Sequence, residues 1–265
     1  MPQPNTSSFT TPDLQVIVRS TIYSVSMVTT TLLFGPVMLL TAFLPFRIRY
    51  AIAKGWVIYN LWVLQKVCGL TWIVEGMENI PERNGVILCK HQSAWETIAL
   101  QTIFPPVVFI LKKSLLYLPV WGWAMATLKP IAIDRSAKSA ALKQILSKGV
   151  ERIKAGHWVV VFPEGTRVPP GEKGKYLPGG AMLAHKAGCP VLPVAHNAGE
   201  FWKRNAYLKY PGVIQVRIGP AIDGTVLSAA EINKKAEEWI EQQMSEISFR
   251  SLRNSDDSAT SKSRT

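Results

Sequence analysis

Short apolar runs alternate with helix-like segments from residue 71 to residue 218, and this alternation constrains the fold more than any other feature of the sequence. The runs predict strands at residues 71–74, 85–89, 107–111, 131–134, 157–162, 191–195 and 214–218. Strands that alternate with helices favour a parallel arrangement of the strands. The sequence therefore predicts an α/β fold with a mixed, largely parallel sheet that is flanked by helices.

Two helices of this fold are predicted, one from the periodicity of its apolar residues and one from a capping-box pattern. Between Arg135 and Gly156, apolar residues recur on one helical face, and Gly156 is a plausible stop. Ser228 and Glu231 have the spacing of a capping box, which predicts the start of a terminal helix.

The segment from Thr21 to Phe46 contains no charged residue over 26 positions, which is long enough for a membrane helix. The Gly35-Pro36 pair in its middle is expected to kink or break the helix, so the segment either spans the bilayer or re-enters one leaflet. A signal peptide is the alternative, but the uncharged stretch is long for a signal core and no cleavage site clearly follows it.

Cations follow this apolar segment at Arg47, Arg49 and Lys54. The positive-inside rule then places the downstream part of the chain on the cytoplasmic side, which predicts an inner-membrane protein with its main domain facing the cytoplasm. Residues 47–69 are predicted to form an amphipathic helix at the lipid interface, and a helix packed into a protein core is the alternative. The polar face would carry Arg47, Lys54 and Gln65, and the apolar face Ile52, Trp56, Tyr59 and Val63.

Composition supports contact with a membrane. Hydrophobic residues make up 48% of the chain and charged residues only 18%, while the net charge is +12. Such a balance suggests a bilayer with anionic head groups, and nucleic acid is the weaker choice because no recognised binding motif is present. We expect a membrane-anchoring helical segment at residues 1–70, a catalytic domain at residues 71–249 and a disordered tail at residues 250–265; residues 1–12 are also expected to be disordered.

Polar residues of the types that act in catalysis follow two of the predicted strands. His91 and Glu96 stand five positions apart after the run that ends at Cys89. They can pair only if His91 lies on the loop and Glu96 in the helical turn that follows. A histidine held by a carboxylate is a general base with a fixed tautomer, although a surface or capping pair is the alternative.

A second polar loop, Pro163 to Arg167, ends another apolar run. In a parallel sheet the two loops would converge at one edge, where open α/β sheets place their reactive groups. His157, His185 and His196 stand apart from any carboxylate motif, and no cluster has metal-ligand spacing.

These motifs resemble those of the glycerolipid acyltransferase family, in particular the bacterial 1-acyl-sn-glycerol-3-phosphate acyltransferases. The resemblance covers roughly residues 70 to 220 and rests on four blocks in the family's order: His91 to Glu96, Lys112-Lys113-Ser114-Leu115 through Pro119 and Gly122 to Ile133-Asp134-Arg135, Phe162 to Arg167, and Val191 to Ala195. The family usually has Asp where this chain has Glu96. Glutamate is one methylene longer but is still an anionic acceptor.

The resemblance implies the glycerolipid acyltransferase fold and an acyl-transfer reaction. An acyl chain would pass from an acyl thioester, on acyl carrier protein or coenzyme A, to the free sn-2 hydroxyl of lysophosphatidic acid, giving phosphatidic acid. His91 would be the general base and Glu96 would orient its ring. No cofactor is expected, and the acyl thioester would be a co-substrate; no metal is expected, because no cluster has metal-ligand spacing.

The acceptor's phosphate needs cations, and arginine can pair two phosphate oxygens at once. Arg135 and Arg167 are the candidates, with Lys112 and Lys113 in support. By resemblance, the loop that also contains Glu164, Gly165 and Thr166 binds the glycerol phosphate. Gly165 would allow a tight turn, and Glu164 would bind the acceptor's hydroxyls or orient Arg167.

Three other interpretations remain open. The acceptor can be another lysophospholipid or a lyso-aminolipid, or the chain can be a non-catalytic lipid-binding scaffold of the same fold. A thioesterase is disfavoured, because water needs no phosphate clamp.

The apolar stretch from Leu115 to Met125 is expected to be mostly core, with a few residues lining a tunnel for the acyl chain.

Overall fold

The structure is a computed structural model, and it describes residues 13–248. The expected disordered segments at residues 1–12 and 250–265 lie outside the described residues.

Within residues 13–248, seven strands form one sheet, and every predicted run is a strand whose ends differ from the prediction by two residues at most. The strands are β1 (Leu70–Glu75), β2 (Val86–Cys89), β3 (Val107–Lys112), β4 (Ile131–Ile133), β5 (Trp158–Val161), β6 (Val191–His196) and β7 (Gly212–Ile218). Their spatial order is β1-β7-β6-β2-β5-β3-β4.

The sheet is mixed and largely parallel, as predicted. Strands β6, β2, β5, β3 and β4 are all parallel, whereas β7 runs antiparallel to β6 and parallel to β1. The carboxyl ends of β2, β3, β4 and β5 therefore lie at one edge of the sheet. The loops that leave this edge carry the residues singled out by the motifs.

The described residues also form eight α-helices, which cover both faces of the sheet. They are α1 (Leu14–Leu40), α2 (Phe46–Cys68), α3 (Trp95–Ile103), α4 (Trp121–Thr127), α5 (Lys138–Lys154), α6 (Gly179–Ala187), α7 (Ala198–Phe201) and α8 (Ala229–Ile247). One buried core joins α1, α2, α3 and α7 to the sheet, and a second joins α5, α6 and α8 to its other face. Helix α8 begins with the predicted capping box of Ser228 and Glu231.

Helix α1 continues through Gly35-Pro36, so the expected break in the helix is absent. Gly35 serves close packing instead, because a Cβ at this position would lie 2.2 Å from Cγ1 of Val120, the residue before α4. The helix is long and apolar enough to cross a membrane, and only 17% of its most apolar window is buried. Its exposed apolar residues include Leu14, Val25, Val28, Leu32, Leu33 and Leu40.

Helix α2 is present where it was predicted, but its buried face is a different one. Tyr50, Val57 and Leu64 are buried in the core with α1 and α3. The predicted apolar face divides: Val63 is buried, whereas Tyr59 is 40% exposed. The alternative of a core-packing helix therefore describes the side of α2 that carries Tyr50, Val57 and Leu64. This side is buried because α1 and α3 pack against it.

Candidate active site

The loop after β2 folds around the carboxylate of Glu96. Strand β2 is buried along its whole length, and α3 begins six residues after its end, so Glu96 lies in the first turn of α3. The backbone N–H groups of Gln92 and Ser93 donate to Oε1 of Glu96 at 3.0 and 2.9 Å. Ser93 also donates to Oε2 at 3.1 Å. The carboxylate of Glu96 thus accepts hydrogen bonds from backbone N–H groups of the loop that precedes its own helix.

His91 is hydrogen-bonded to this carboxylate. Its Nδ1 lies 2.8 Å from Oε1 of Glu96. The imidazole stacks on the ring of Phe162, with ring centroids 3.9 Å apart and an angle of 13° between the planes. An anionic Glu96 accepts a hydrogen bond from Nδ1–H, so the lone pair of the ring lies on Nε2. This geometry makes Nε2 the nitrogen that can take a proton from a substrate.

Several contacts keep Glu96 ionised. Burial by itself disfavours the charged form of this fully buried side chain. The neighbouring His196, the hydrogen bond from His91 and the N–H group of Ser93 outweigh burial and hold the pKa of Glu96 below its ordinary value. A charged Glu96 can stabilise an imidazolium at His91.

His196 lies behind Glu96, which corrects the prediction that this histidine stands apart from carboxylates. It is fully buried, and its Nε2 lies 3.9 Å from Oε2 of Glu96 and 2.8 Å from the carbonyl oxygen of Lys90. Its Nδ1 accepts the N–H group of Ala198 at 3.2 Å, so the proton is on Nε2. Burial lowers the pKa of His196, which favours the neutral ring. Strands β2 and β6 are neighbours in the sheet, and the sequence does not reveal this pairing.

A second buried carboxylate, Glu164, contacts the same loop from the end of β5. Its Oε2 accepts the backbone N–H of His91 at 2.9 Å, and its Oε1 lies 2.7 Å from Nζ of Lys90. The same ammonium group lies 2.8 Å from Oε1 of Glu241 in α8, which also accepts the hydroxyl of Tyr176 at 2.8 Å. Burial raises the pKa of Glu164 although Lys90 opposes the shift. Both oxygens of Glu164 are thus engaged by the protein; that Glu164 binds the acceptor stays a prediction.

Known proteins have sequences and a fold that are similar to those of this chain. A family model described as Acyltransferase matches residues 72–197. A 1-acyl-sn-glycerol-3-phosphate acyltransferase of Pseudomonas aeruginosa is 51% identical over 209 residues, which are 77% of this chain and 81% of that protein. The chain belongs to the acyltransferase family.

Two further relatives extend the comparison. A 1-acyl-sn-glycerol-3-phosphate acyltransferase of Borreliella burgdorferi is 29% identical over 71% of this chain and 74% of its own length. The crystal structure of the 1-acyl-sn-glycerophosphate acyltransferase PlsC from Thermotoga maritima superposes with a TM-score of 0.74 at 24% identity, over 88% of this chain and 96% of that one. This structural likeness shows that the acyltransferase has the predicted fold.

The predicted phosphate-binding residues of this acyltransferase all follow the strands that end at the active-site edge. Arg135 follows β4, and its guanidinium donates to the carbonyl oxygen of Gly165. Arg167 is half-buried, and its Nε is buried without a hydrogen-bond partner among the described residues. Lys112 and Lys113, at the end of β3, are exposed. That these cations bind the acceptor stays a prediction.

The loop that follows β5, from Pro163 to Arg167, has the geometry expected of its glycine. Gly165 has φ of 67°, a left-handed conformation that favours glycine, and Thr166 beside it is exposed. The N–H of Val168 donates to the carbonyl oxygen of His91 at 2.8 Å, so the loop is tied to the general-base candidate. Arg204 donates to the carbonyl oxygen of Arg167 at 3.1 Å. Sequence reasoning missed Arg204, because it lies outside every motif block and only tertiary folding brings it here.

An apolar cavity of about 60 Å³ lies between α1, α2 and α4. Its lining includes Phe34, Met38, Trp56, Val57, Trp121 and Met125. Of the stretch from Leu115 to Met125, Trp121 and Met125 thus face the cavity, whereas Tyr117 and Trp123 are 68% and 50% exposed. The expectation that most of this stretch is core is wrong, because these residues lie in short helical turns outside the sheet.

Within residues 13–248, no group of three His, Cys, Asp or Glu side chains is placed to hold a metal ion. The expectation that the reaction needs neither metal nor cofactor stays a prediction.

Proposed function

We propose that this acyltransferase moves an acyl chain from an acyl thioester to the free sn-2 hydroxyl of 1-acyl-glycerol-3-phosphate, giving phosphatidic acid. The observation that carries the proposal is the 2.8 Å contact between Nδ1 of His91 and Oε1 of Glu96, which leaves Nε2 available as a base. The Pseudomonas aeruginosa relative, at 51% identity, bears the name of this activity.

His91 acts as the general base in the proposed mechanism. Its Nε2 takes the proton of the acceptor hydroxyl while the oxygen attacks the thioester carbonyl carbon. The new C–O bond forms, the C–S bond breaks, and the proton passes from the imidazolium to the departing sulfur. Glu96 holds the ring and stabilises the imidazolium between these two transfers. No acyl-enzyme is needed, because the acceptor oxygen is itself the nucleophile.

The cations at the active-site edge bind the acceptor's phosphate. Arg135 is anchored by one nitrogen to Gly165, so its other donors are free to turn to a phosphate. Arg167 supplies a second guanidinium, with Lys112 and Lys113 as exposed supporting charges. The loop of Gly165 and Thr166 completes the site, and Glu164 holds it against His91 through the hydrogen bond to the His91 N–H.

Residues 1–70 anchor the enzyme to an anionic bilayer, and residues 71–249 form the catalytic domain on the cytoplasmic side of the inner membrane. The length and apolar exposure of α1 support the anchor. The cations after the apolar segment support the orientation. In this arrangement the acceptor and the product remain in the lipid phase.

The test is acyl transfer by purified protein in mixed micelles with lysophosphatidic acid and a thioester donor. We expect His91→Ala to lower kcat by about 10²–10⁴-fold, because the base is lost. The matched control is His157→Ala, at the residue before β5, where kcat should stay within about twofold of the wild type. Transfer by His91→Ala at the wild-type rate would refute the role of His91.

An acceptor panel separates the remaining alternative. Lysophosphatidylethanolamine, a lyso-aminolipid and lysophosphatidic acid should be compared at equal mole fraction. The arginines favour a phosphate monoester, which carries more negative charge than a diester. A higher kcat/KM for one of the other acceptors would assign the same chemistry to that acceptor.

A further inference from the structure

Helix α7 and the segment that follows it lie beside both loops of the active site. The N–H of Gly199 in α7 donates to Oε1 of Gln92, in the loop after β2, at 3.3 Å. Beyond α7, Nη1 of Arg204 donates to the carbonyl oxygen of Arg167 at 3.1 Å. We call residues 202–211, between α7 and β7, the α7–β7 loop. It holds Arg204 against the loop that carries the predicted phosphate-binding residues.

The other end of the α7–β7 loop is fixed to the apolar helix α1. Lys209 is buried, and its N–H and its Nζ donate to Oγ of Ser20 and Oγ of Ser24, each at 2.9 Å. The hydroxyl of Tyr207 donates to Oγ1 of Thr21 at 2.7 Å. The ammonium of Lys209 also lies within 5.3 Å of the centroids of three aromatic rings. The loop therefore joins the proposed membrane anchor to the loop of Arg167.

The turns of α1 that contact the α7–β7 loop also carry exposed apolar side chains. Val18, Ile22 and Val25 are among them. Under the proposed function this surface of α1 lies in lipid, and the acceptor stays in the same lipid phase. An acceptor that places its phosphate at the loop of Arg167 consequently passes close to Arg204.

The charge of Arg204 is not balanced by a carboxylate of the protein. Residues 198–211 contain three Lys or Arg, and Glu200 is their only acid. Its Oε2 accepts a hydrogen bond from Asn197 at 3.1 Å, and its Oε1 accepts one from Ser248 at 2.9 Å. Within residues 13–248, no salt bridge joins Arg204 to an acid. The exposed guanidinium thus keeps donors for an anion from outside the chain.

Three guanidinium groups meet at the loop after β5. Arg135 donates to the carbonyl oxygen of Gly165, and Arg204 donates to that of Arg167. Arg167 itself has a buried Nε with no hydrogen-bond partner among the residues that the structure describes. A phosphate offers several acceptor oxygens, and the planar guanidinium can bind two of them at once. The arrangement therefore fits one anionic group that is shared by these side chains.

We propose that Arg204 binds the phosphate of the lipid acceptor, beside Arg135 and Arg167, on the side of the site that is nearest to α1. The inference rests on the proposed function and adds to it a residue that selects acceptors with a phosphate monoester head group. The additional cation stabilises the more highly charged monoester more than a diester.

The first experiment measures the kinetics of Arg204→Ala with lysophosphatidic acid varied in mixed micelles. We expect KM for lysophosphatidic acid to rise about tenfold, because a charge-assisted contact is lost. We expect kcat and KM for the acyl thioester to change less than about twofold, since Arg204 takes no part in the chemical step. An unchanged KM for lysophosphatidic acid would overturn the proposal, and so would a rise in KM for the thioester instead.

The matched control is Lys203→Ala, which removes the neighbouring exposed cation. All three kinetic constants should stay at the wild-type values. An equal rise of KM in Lys203→Ala would show a general effect of surface charge and would overturn a specific contact by Arg204.

Two further variants separate phosphate binding from support of the Arg167 loop. Arg204→Lys and Arg204→Gln both keep an N–H donor for the carbonyl oxygen of Arg167, but only lysine keeps the positive charge. We expect KM for lysophosphatidic acid in Arg204→Lys to lie between the values of the wild type and Arg204→Ala. In Arg204→Gln it should be as high as in Arg204→Ala. Equal KM values for the lysine and glutamine variants would overturn a role for the charge.

Thermal unfolding with glycerol 3-phosphate tests the contact without turnover. This soluble head group should raise Tm of the wild type and of Lys203→Ala, and raise Tm of Arg204→Ala less. Equal Tm shifts in the wild type and Arg204→Ala would overturn the proposal. Reduced sedimentation of Arg204→Ala with phosphatidylglycerol vesicles would also overturn it and would assign Arg204 to bilayer binding.

The outcome for Arg204 is separable from the outcome for the proposed function. A wild-type enzyme that does not acylate lysophosphatidic acid overturns the proposed function. A wild-type enzyme that does so, with the same KM in Arg204→Ala, overturns only the role of Arg204.

Discussion

Glu96 and Glu164 are both buried beside His91, yet their environments shift their pKa values in opposite directions. Glu96 accepts hydrogen bonds from two backbone N–H groups and from the His91 ring, and its pKa is lowered. Glu164 shares the ammonium of Lys90 with Glu241, and burial raises its pKa. The hydrogen bonds to Glu96 therefore outweigh its burial, whereas the ammonium of Lys90, which Glu164 shares with Glu241 of α8, does not outweigh the burial of Glu164.

The largest effect is expected when the better-stabilised carboxylate is removed. Glu96→Ala should lower kcat by about 10²–10⁴-fold, because the ring loses its orientation and the imidazolium loses its counter-charge. KM for lysophosphatidic acid should change little, since Glu96 is buried below the histidine. Steady-state kinetics measure both constants, and Glu96→Asp tests whether the longer side chain is required for the 2.8 Å contact. A kcat within tenfold of the wild type in Glu96→Ala would remove Glu96 from the mechanism.

The next effect concerns the counter-ion of the other carboxylate. Lys90→Met leaves Glu164 and Glu241 without their cation and should lower the free energy of unfolding by about 3–5 kcal/mol. Chemical denaturation in detergent, followed by circular dichroism, measures the loss. The double variant Lys90→Met/Glu241→Gln should recover part of it, because one unpaired carboxylate has become neutral. Equal stability of wild type and Lys90→Met would show that the cluster holds its charges without the lysine.

The smallest effect is the pH dependence of stability, and its sign differs between the two carboxylates. A lowered pKa in the folded state makes Glu96 stabilising above the ordinary glutamate pKa, and this contribution is lost as the pH falls through the folded value. A raised pKa makes the contribution of Glu164 greatest below the ordinary pKa and diminishes it as the pH rises through the folded value.

Unfolding of the wild type, Glu96→Gln and Glu164→Gln across this range checks both signs, because glutamine does not titrate. The stability advantage of the wild type over Glu96→Gln should grow with rising pH. Its advantage over Glu164→Gln should shrink. Two slopes of the same sign would contradict the contrast between the environments.

Much of this architecture could be predicted from local patterns. Continuous apolar runs marked all the strands, since strands buried on both faces read as such runs. The spacing of His91 and Glu96 predicted a pair that spans a loop and a helical turn, and the two side chains do meet. Both features depend on residues that are close in the sequence.

The features that sequence reasoning missed all depend on distant neighbours. His196 reaches Glu96 because β6 lies beside β2, and Glu241 reaches Lys90 because α8 covers this end of the sheet. The buried face of α2 depends on α1 and α3, and the uninterrupted course of α1 accompanies the close approach of Gly35 to Val120. The spacing of these residues in the sequence does not predict such contacts.

Local sequence patterns were enough to predict the strands, the order of the motifs and the pairing of His91 with Glu96, because each arises from interactions along a few consecutive residues. The groups behind that pair, and the helices on each face of the sheet, were established by long-range packing, since burial and charge pairing act through space. A buried Lys90 or His196 acquires its partners only when separate strands and helices have packed together.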